Sequence, residues 1–353
     1  MAHKIRLLGI GGTVQQGMVE KVLVPKYTLD EVLDFVFKDQ RKNFNIESIE
    51  LVQKHNVDSN NINESDFYRL ANEVYKAALD DSIDGILVTI GTDRLADIAS
   101  LLEFSVRPLN KPVVFTGGMY TIEEGDTDVS TNIRKSIKLI EEIISQDLLK
   151  KEMMYNSTLI VMGDYAIYAH SSLKIKTTDS GSFVCSANKH FANFKDGISD
   201  IKKVIVPRKN SYPPKMYFPK FGTIKVENIQ FGYKIGINGL TESEAIIYVG
   251  TGDGNFPRDL VSTMEAISYY YHKPQFICSN VPIRNLISNY EVGIVPEGVI
   301  QSALPVHSTY SKLAVILGEA NFSDQKQKQE FILESFKKDF ANETLHILGE
   351  INK

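Results

Sequence analysis

The strongest constraint on the fold is a recurring unit. A short apolar run, in several cases unbroken, β-branched and followed by glycine, gives way to a longer amphipathic segment. The runs are IRLLGI (5–10), ILVTI (86–90), PVVFTG (112–117), TLIVMG (158–163), VIV (204–206), AIIYVG (245–250) and QFICS (275–279). A strand exposed on one face alternates apolar with polar, whereas a strand buried on both faces reads as one continuous run. The pattern therefore predicts mostly parallel sheets covered by helices.

The intervening segments have helical spacing. In DFYRLANEVYKAALDD (66–81), Phe67, Leu70, Ala71, Val74, Tyr75, Ala78 and Leu79 recur at three- and four-residue intervals. Ser65 and Asn63 are both candidate caps for its start. The segments 28–40, 95–106, 130–149 and 257–272 are also amphipathic, with Pro257 suited to a first helical turn. The tail from Ser323 to Leu348 reads as one or two further helices. Strand–helix alternation over this length predicts an α/β protein of two α/β domains with mostly parallel sheets. The stretch 207–222 (PRKNSYPPKMYFPKFG) breaks the alternation and holds four of the twelve prolines. The expected organisation is an N-terminal catalytic domain over 1–207, a link over 208–222 and a smaller C-terminal α/β domain over 223–353.

In open α/β sheets, ligands bind beyond the carboxyl ends of the strands. Four expected strand ends carry polar groups in glycine turns: Gly11-Gly12-Thr13, Gly91-Thr92-Asp93, Thr116-Gly117-Gly118 and Gly250-Thr251-Gly252-Asp253-Gly254-Asn255. Glycine allows a tight turn with its N–H groups free, threonine adds a hydroxyl, and aspartate adds an anion for a substrate ammonium. Any one of these turns is also what an ordinary strand-to-helix connection looks like, with Thr or Asp capping the next helix. The set of four points to a site without choosing its chemistry. Neither GxGxxG nor GxxxxGK[ST] is present, which removes the main support for a nucleotide site.

Composition narrows the classes. The chain is 43% hydrophobic and 24% charged with a formal net charge of -5, so it has no overall basic character for nucleic acid or an anionic membrane. Cys185 and Cys278 each stand alone in apolar segments, as core thiols do, and no Cys/His spacing suggests zinc. The N-terminus lacks the pattern of a secretory signal and no apolar run approaches spanning length, so a cytoplasmic location is expected.

An ordered set of blocks resembles the bacterial-type L-asparaginases, a family of threonine amidohydrolases related to one of the subunits of the Glu-tRNA(Gln) amidotransferase. IGGT (10–13) stands for the family's TGGT, DSNNINESDFYRLA (58–71) for its DSS-type motif and helix, and IGTDR (90–94) for HGTDT. KPVVFTGGM (111–119) and GTGDGN (250–255) follow in order, so the resemblance runs over nearly the whole chain. It implies an active site at the C-terminal edge of the N-domain sheet, completed by a neighbouring subunit in a homodimer or homotetramer, with no cofactor and a small-molecule amide substrate.

The resemblance also implies roles. Thr13 matches the nucleophile and Tyr27 the tyrosine that assists it. Thr92, Asp93 and Lys174 match a second catalytic set, with Lys174 placed by its distance upstream of Phe183 and Lys176 as its rival. A lysine acts as a base only if burial or a nearby cation lowers its pKa. Ser59 and Asn60 match the pair that holds the substrate's carboxylate and amine, and Asp93 would take the ammonium. Asp253 stands where the family has an asparagine reaching into the neighbouring site, and backbone N–H groups near Thr92 and Gly117 are candidates for the oxyanion.

Departures flank this set. Ile90 replaces a histidine, Arg94 a threonine, Tyr120-Thr121 an arginine–proline pair, and TDVSTN (127–132) the SDGP-x-N segment. No equivalent stands out for an acidic residue that some members supply near 283–293. Arg94 either points away on the next helix or brings a cation to the pocket. Three functions remain: asparagine hydrolysis, ammonia release from glutamine or another amide alone or as an amidotransferase subunit, and amino-acid binding without catalysis. The acidic balance and the absence of the amidotransferase subunit's extra N-terminal module weigh against a tRNA-linked role.

Overall fold

The computed structural model describes residues 3–51, 58–145, 158–179, 181–186, 190–195, 201, 213–230, 237–281, 295–296, 298–341 and 343. The chain divides into two compact units, one of residues 1–185 and 189–216, the other of 186–188 and 217–353.

The first unit begins with strand β1 (Lys4–Gly9) and a hairpin of β2 (Gln16–Val19) and β3 (Val22–Pro25). Helix α1 (Leu29–Phe37), strand β4 (Asn45–Glu50), helix α2 (Glu64–Leu79) and strand β5 (Gly85–Thr89) follow. Next come α3 (Leu95–Ser105), β6 (Val106–Arg107), β7 (Val113–Thr116), α4 (Val129–Ser145), β8 (Thr158–Met162) and β9 (Tyr165–Tyr168). Short strands β10 (Ser172–Lys174), β11 (Phe183–Cys185), β12 (Ala192–Asn193) and β13 (Lys215–Met216) complete the unit. The main sheet has the order β12-β9-β8-β7-β5-β1-β4. Its β4, β1, β5, β7 and β8 are parallel; β9 pairs antiparallel with β8, and β12 pairs antiparallel with β9 at the edge.

Strand order places the site. The chain leaves β1 toward β4 on one side, and after β5 it proceeds to β7 on the other. The connections therefore diverge between the carboxyl ends of β1 and β5, which opens a crevice there. The two Gly-Thr turns lie at those two ends.

Local sequence explains the helices. Thr28 accepts from the Glu31 amide while Glu31 reaches back to the Thr28 amide, a capping box worth about 1 kcal/mol. Leu29, Val32, Leu33, Val36 and Phe37 of α1 then bury one face. Of the two candidate caps for α2, Asn63 takes the role, accepting from Asp66 N at 3.2 Å. The α2 stripe packs as its spacing predicts except at Tyr75, which is half-buried, and at Leu79, which is 48% exposed. A core of Leu7, Leu87, Val114, Ile137, Leu159 and their neighbours fills the unit.

The second unit contains β14 (Ile224–Asn228), α5 (Ile237–Thr241), β15 (Ala245–Gly250), α6 (Asp259–Tyr271), β16 (Gln275–Ser279), β17 (Val299–Gln301), α7 (Val306–Glu319) and α8 (Gln325–Lys337). Its sheet, β14-β15-β16-β17, is parallel throughout. Helix α6 begins at Asp259, later than the expected Pro257, which instead accepts from Leu260 N in a preceding turn. The expected strand at 204–206, part of the link (208–212) and the segment 283–293 lie outside the described residues. Within the link, Lys215–Met216 forms β13 and pairs with β6. Cys185 and Cys278 are both buried thiols outside any disulfide.

Candidate active site

At the end of β1, Gly12 has φ +94° and leads into a 3-10 turn over Thr13–Gln15. A Cβ at Gly12 would stand 2.2 Å from Gly91 N, and one at Gly91 would stand 2.6 Å from Ser59 Oγ. The two turns thus touch backbone to backbone, the Ser59 side chain packs on Gly91, and only glycine permits these approaches. The result is a cavity of about 340 Å³ lined by Gly12, Thr13, Gln16, Leu23 and Pro25 from one side. Asp58, Ser59, Asn61, Gly91, Thr92 and Asp93 close the other side. That volume is at the small end of the range for ligand pockets.

Four of the expected residues, Thr13, Ser59, Thr92 and Asp93, are brought to this cavity. Lys174 reaches the same group from β10. Its Nζ donates to Thr92 Oγ1 at 2.9 Å and to Asp93 Oδ1 at 2.6 Å. Lys176 is exposed and pairs with Asp179 at 3.2 Å, so Lys174 is the lysine placed at Thr92. Strand β10 owes its position to the antiparallel pairing of Lys174 with Phe183 on β11. The Lys174 hydrogen bond holds the Asp93 carboxyl below its ordinary range, against a partial burial that works the other way. Asp93 is therefore an anion suited to a substrate ammonium.

Asn60 contributes differently from expectation. It is not among the lining residues; its Nδ2 donates to Asp93 Oδ2 at 3.2 Å and to Asp58 Oδ1 at 3.2 Å. The residues at the cavity are Asp58 and Asn61, flanking the Ser59-Asn60 pair. Asp58 also accepts from Asn60 N at 2.9 Å and so caps its own short turn.

Tyr27 follows β3. Its amide donates to Gln15 O at 3.0 Å, and Gln15 Nε2 donates to Tyr27 O at 3.3 Å, tying it to the turn that carries Thr13. The Tyr27 hydroxyl donates to Glu123 Oε1 at 2.5 Å, a partner not evident in the sequence. That bond raises the phenol's pKa. Gly117 lies beside the second turn: a Cβ there would be 2.7 Å from Ile90 O and 3.1 Å from Thr92 Cγ2. Asp253 belongs to the second unit, in the turn after β15, where its carbonyl accepts from Gln301 Nε2 at 2.8 Å.

The departures from the family pattern lie around this group. Ile90 is fully buried, and neither Ile90 nor Arg94 lines the cavity. Arg94 Nη1 donates to Asp97 Oδ2 at 3.0 Å along α3. Asp128 accepts from the amides of Met119 (2.9 Å) and Tyr120 (3.2 Å) and from Asn132 Nδ2 (3.0 Å). Burial still pushes its carboxyl above the ordinary range, despite those bonds. Asn132 also donates to Gly117 O at 3.0 Å, so the retained Asp and Asn of TDVSTN clamp the chain leaving β7. Among the described residues, no cluster of His, Cys, Asp or Glu is arranged to hold a metal ion, and no helix is long and apolar enough to cross a membrane.

Residues 4–205 match the family model described as asparaginase, N-terminal. The chain belongs to the asparaginase family. It is 32% identical to an L-asparaginase of Thermococcus kodakarensis over 134 residues, which are 38% of this chain and 39% of that one. It is 24% identical to L-asparaginase 2 of Bacillus subtilis over 258 residues, 71% of this chain and 66% of that one. A glutamyl-tRNA(Gln) amidotransferase subunit of Pyrococcus horikoshii is 24% identical over 174 residues, 49% of this chain and 37% of its own. The aligned stretches thus span 39% and 66% of the two asparaginase relatives. Among solved structures, the thermostable L-asparaginase from Thermococcus kodakarensis superposes with a TM-score of 0.75 at 21% identity, covering 96% of this chain and 98% of that one. A probable cytoplasmic L-asparaginase from Campylobacter jejuni gives 0.69 at 20% identity, covering 94% and 99%. These superpositions bear out the asparaginase-like α/β fold with mostly parallel sheets expected from the sequence.

Proposed function

We propose that this asparaginase-family protein hydrolyses L-asparagine to L-aspartate and ammonia, with Thr13 as the nucleophile. The observation that carries the reading is that Thr92 and Asp93, both bonded by Lys174, line the same cavity as Thr13, where the connections from β1 and β5 diverge. A threonine hydroxyl attacks only when its proton has somewhere to go, and a positioned acceptor supplies that. Thr13 Oγ adds to the carboxamide carbon, its proton passes to the leaving nitrogen, and ammonia departs. Water then adds to the Thr13 ester, giving aspartate and the free hydroxyl. In this scheme Thr92 and Lys174 hold the attacking water and pass its proton, Tyr27 assists Thr13, and Asp93 with Ser59 anchors the substrate's ammonium and carboxylate.

The matches to amidotransferase subunits favour a second reading, in which the amide cleaved is glutamine or another carboxamide. Ammonia release from L-asparagine, L-glutamine and a panel of small amides separates the two. The proposal predicts asparagine as the best substrate and a loss of at least ~10³-fold in kcat for Thr13→Ala. Glutamine as the best substrate would support the second reading. No release from any amide would leave amino-acid binding without catalysis.

A further inference from the structure

Glu123 sits in the loop after β7, and its carboxylate meets three donors from one distant stretch of chain. The amide of Met18 donates to Oε2 at 2.8 Å, the Tyr27 hydroxyl donates to Oε1 at 2.5 Å, and Lys26 Nζ pairs with the same Oε1. Met18 lies in β2, whereas Lys26 and Tyr27 directly follow β3. One carboxylate therefore bridges both strands of the hairpin and the tyrosine. That hairpin supplies Gln16, Leu23 and Pro25 to the cavity.

The arrangement is built on both sides. A Cβ at Gly17 would fall 2.4 Å from Lys26 Cδ and 2.9 Å from Glu123 Oε2, so residue 17 leaves the space the cluster occupies. The loop carrying Glu123 is braced in turn. Thr121 N donates to Glu124 Oε2 at 2.5 Å, and Asp128 holds the amides of Met119 and Tyr120. Glu123 is thus presented from a fixed backbone, which limits the entropy lost in forming three bonds.

We propose that Glu123 is a positioning residue that locks the β2–β3 hairpin against the cavity and orients the Tyr27 hydroxyl toward its work on Thr13, the second half resting on the amidohydrolase reading. By accepting the phenol's hydrogen bond, Glu123 turns the lone pairs of Tyr27 Oη outward and increases their negative charge, so that they accept from an incoming donor. The Lys26 and Tyr27 hydrogen bonds, with the Met18 amide, hold the Glu123 carboxyl at about 2. The residue is therefore an anionic acceptor throughout and takes no proton itself.

A double-mutant cycle on kcat and KM with Glu123→Gln and Tyr27→Phe tests this. Removing the charge-assisted bond is expected to lower kcat by ~10-fold or more in the Tyr27 background. In the Tyr27→Phe background the same change is expected to move kcat by less than ~2-fold, because its target is already gone. Gly17→Ala removes no functional group and is expected to show the same coupling, so the test survives a poorly folding Glu123 variant. An equal loss in both backgrounds overturns the proposal.

The tyrosine ring-carbon NMR titration gives a reading free of activity, with Tyr27 assigned from Tyr27→Phe. Its titration should stand above that of ordinary tyrosines and fall back in Glu123→Gln. A wild type that releases no ammonia while this titration falls back refutes the amidohydrolase reading and leaves the positioning of Tyr27 standing. An active wild type whose Tyr27 titration ignores Glu123→Gln refutes the positioning itself.

Discussion

Replacing Lys174 by methionine removes the cation at the cavity while keeping most of the stem's volume. Two bonds go: 2.9 Å to Thr92 Oγ1 and 2.6 Å to Asp93 Oδ1. The cost to stability is small. The Asp93 side chain is 56% exposed, and a pair so screened is worth at most about 1 kcal/mol. That is roughly 2–4 °C in Tm for a unit of this size. The cost to catalysis is larger. A hydrogen bond to a charged group is worth roughly 1.5–3 kcal/mol, and a lost proton-transfer partner costs about 10²–10⁴-fold. The expected outcome is a fall in kcat of ~10²–10⁴-fold with Tm nearly unchanged, read by ammonia release and thermal unfolding.

The pH dependence has a sign. Lys174 depresses the Asp93 carboxyl, so the proposed ammonium binding through Asp93 should persist to lower pH than an ordinary carboxylate would allow and be lost as pH falls through its folded value. Without Lys174 the carboxyl returns toward its ordinary range, and the rise of KM in acid begins at higher pH. Lys176→Met, which removes only an exposed pair with Asp179, is the control and should change none of this. A kcat within ~3-fold of wild type, or a collapse of Tm along with activity, would refute the role assigned to Lys174.

Gly12→Ala forces a Cβ to within 2.2 Å of Gly91 N at φ +94°, so it should cost at least about 1–3 kcal/mol in urea unfolding and spread the two turns. Arg94→Thr should leave the ratio of asparagine to glutamine kcat/KM unchanged, because Arg94 is engaged with Asp97; a reversal of preference would place its cation at the substrate after all. In the second unit, burial pushes the Glu244 carboxyl up, but hydrogen bonds from Lys220 and Lys328 outweigh it and hold the group at about 2. Its contribution is present above the ordinary 4.5 and lost as pH falls toward 2, so Glu244→Gln should flatten the acid side of a stability profile; an unchanged profile would mean the pair is screened.

The parallel core was legible because strands such as ILVTI and AIIYVG are buried on both faces and carry no charged residue. Strand β4 was not, since NIESIE is only half-buried and lies at the sheet edge. The β2–β3 hairpin was hidden for a different reason. Its two-residue turn, Glu20-Lys21, has φ of +47° and +68°, where a tight hairpin turn ordinarily advertises itself with Asn or Gly. Thr13, Thr92, Asp93 and Lys174 could be located by motif, because each sits at a strand end or a fixed distance from one. Glu123 could not: it meets Tyr27 across 96 positions of sequence, a contact that only the folded sheet creates. Asp58 and Asn61 were overlooked beside Ser59 and Asn60, since a 3-10 turn sends neighbouring side chains in different directions.

The central claim is that Thr13 carries the acyl group. Lys174→Met, slowed in the water step, can be mixed with L-asparagine, quenched in acid and digested for mass spectrometry. The account predicts an added aspartyl group, in ester linkage, on the peptide that contains Thr13. The same group on Thr92, or ammonia released in the first turnover with no acyl group on either threonine, would contradict it.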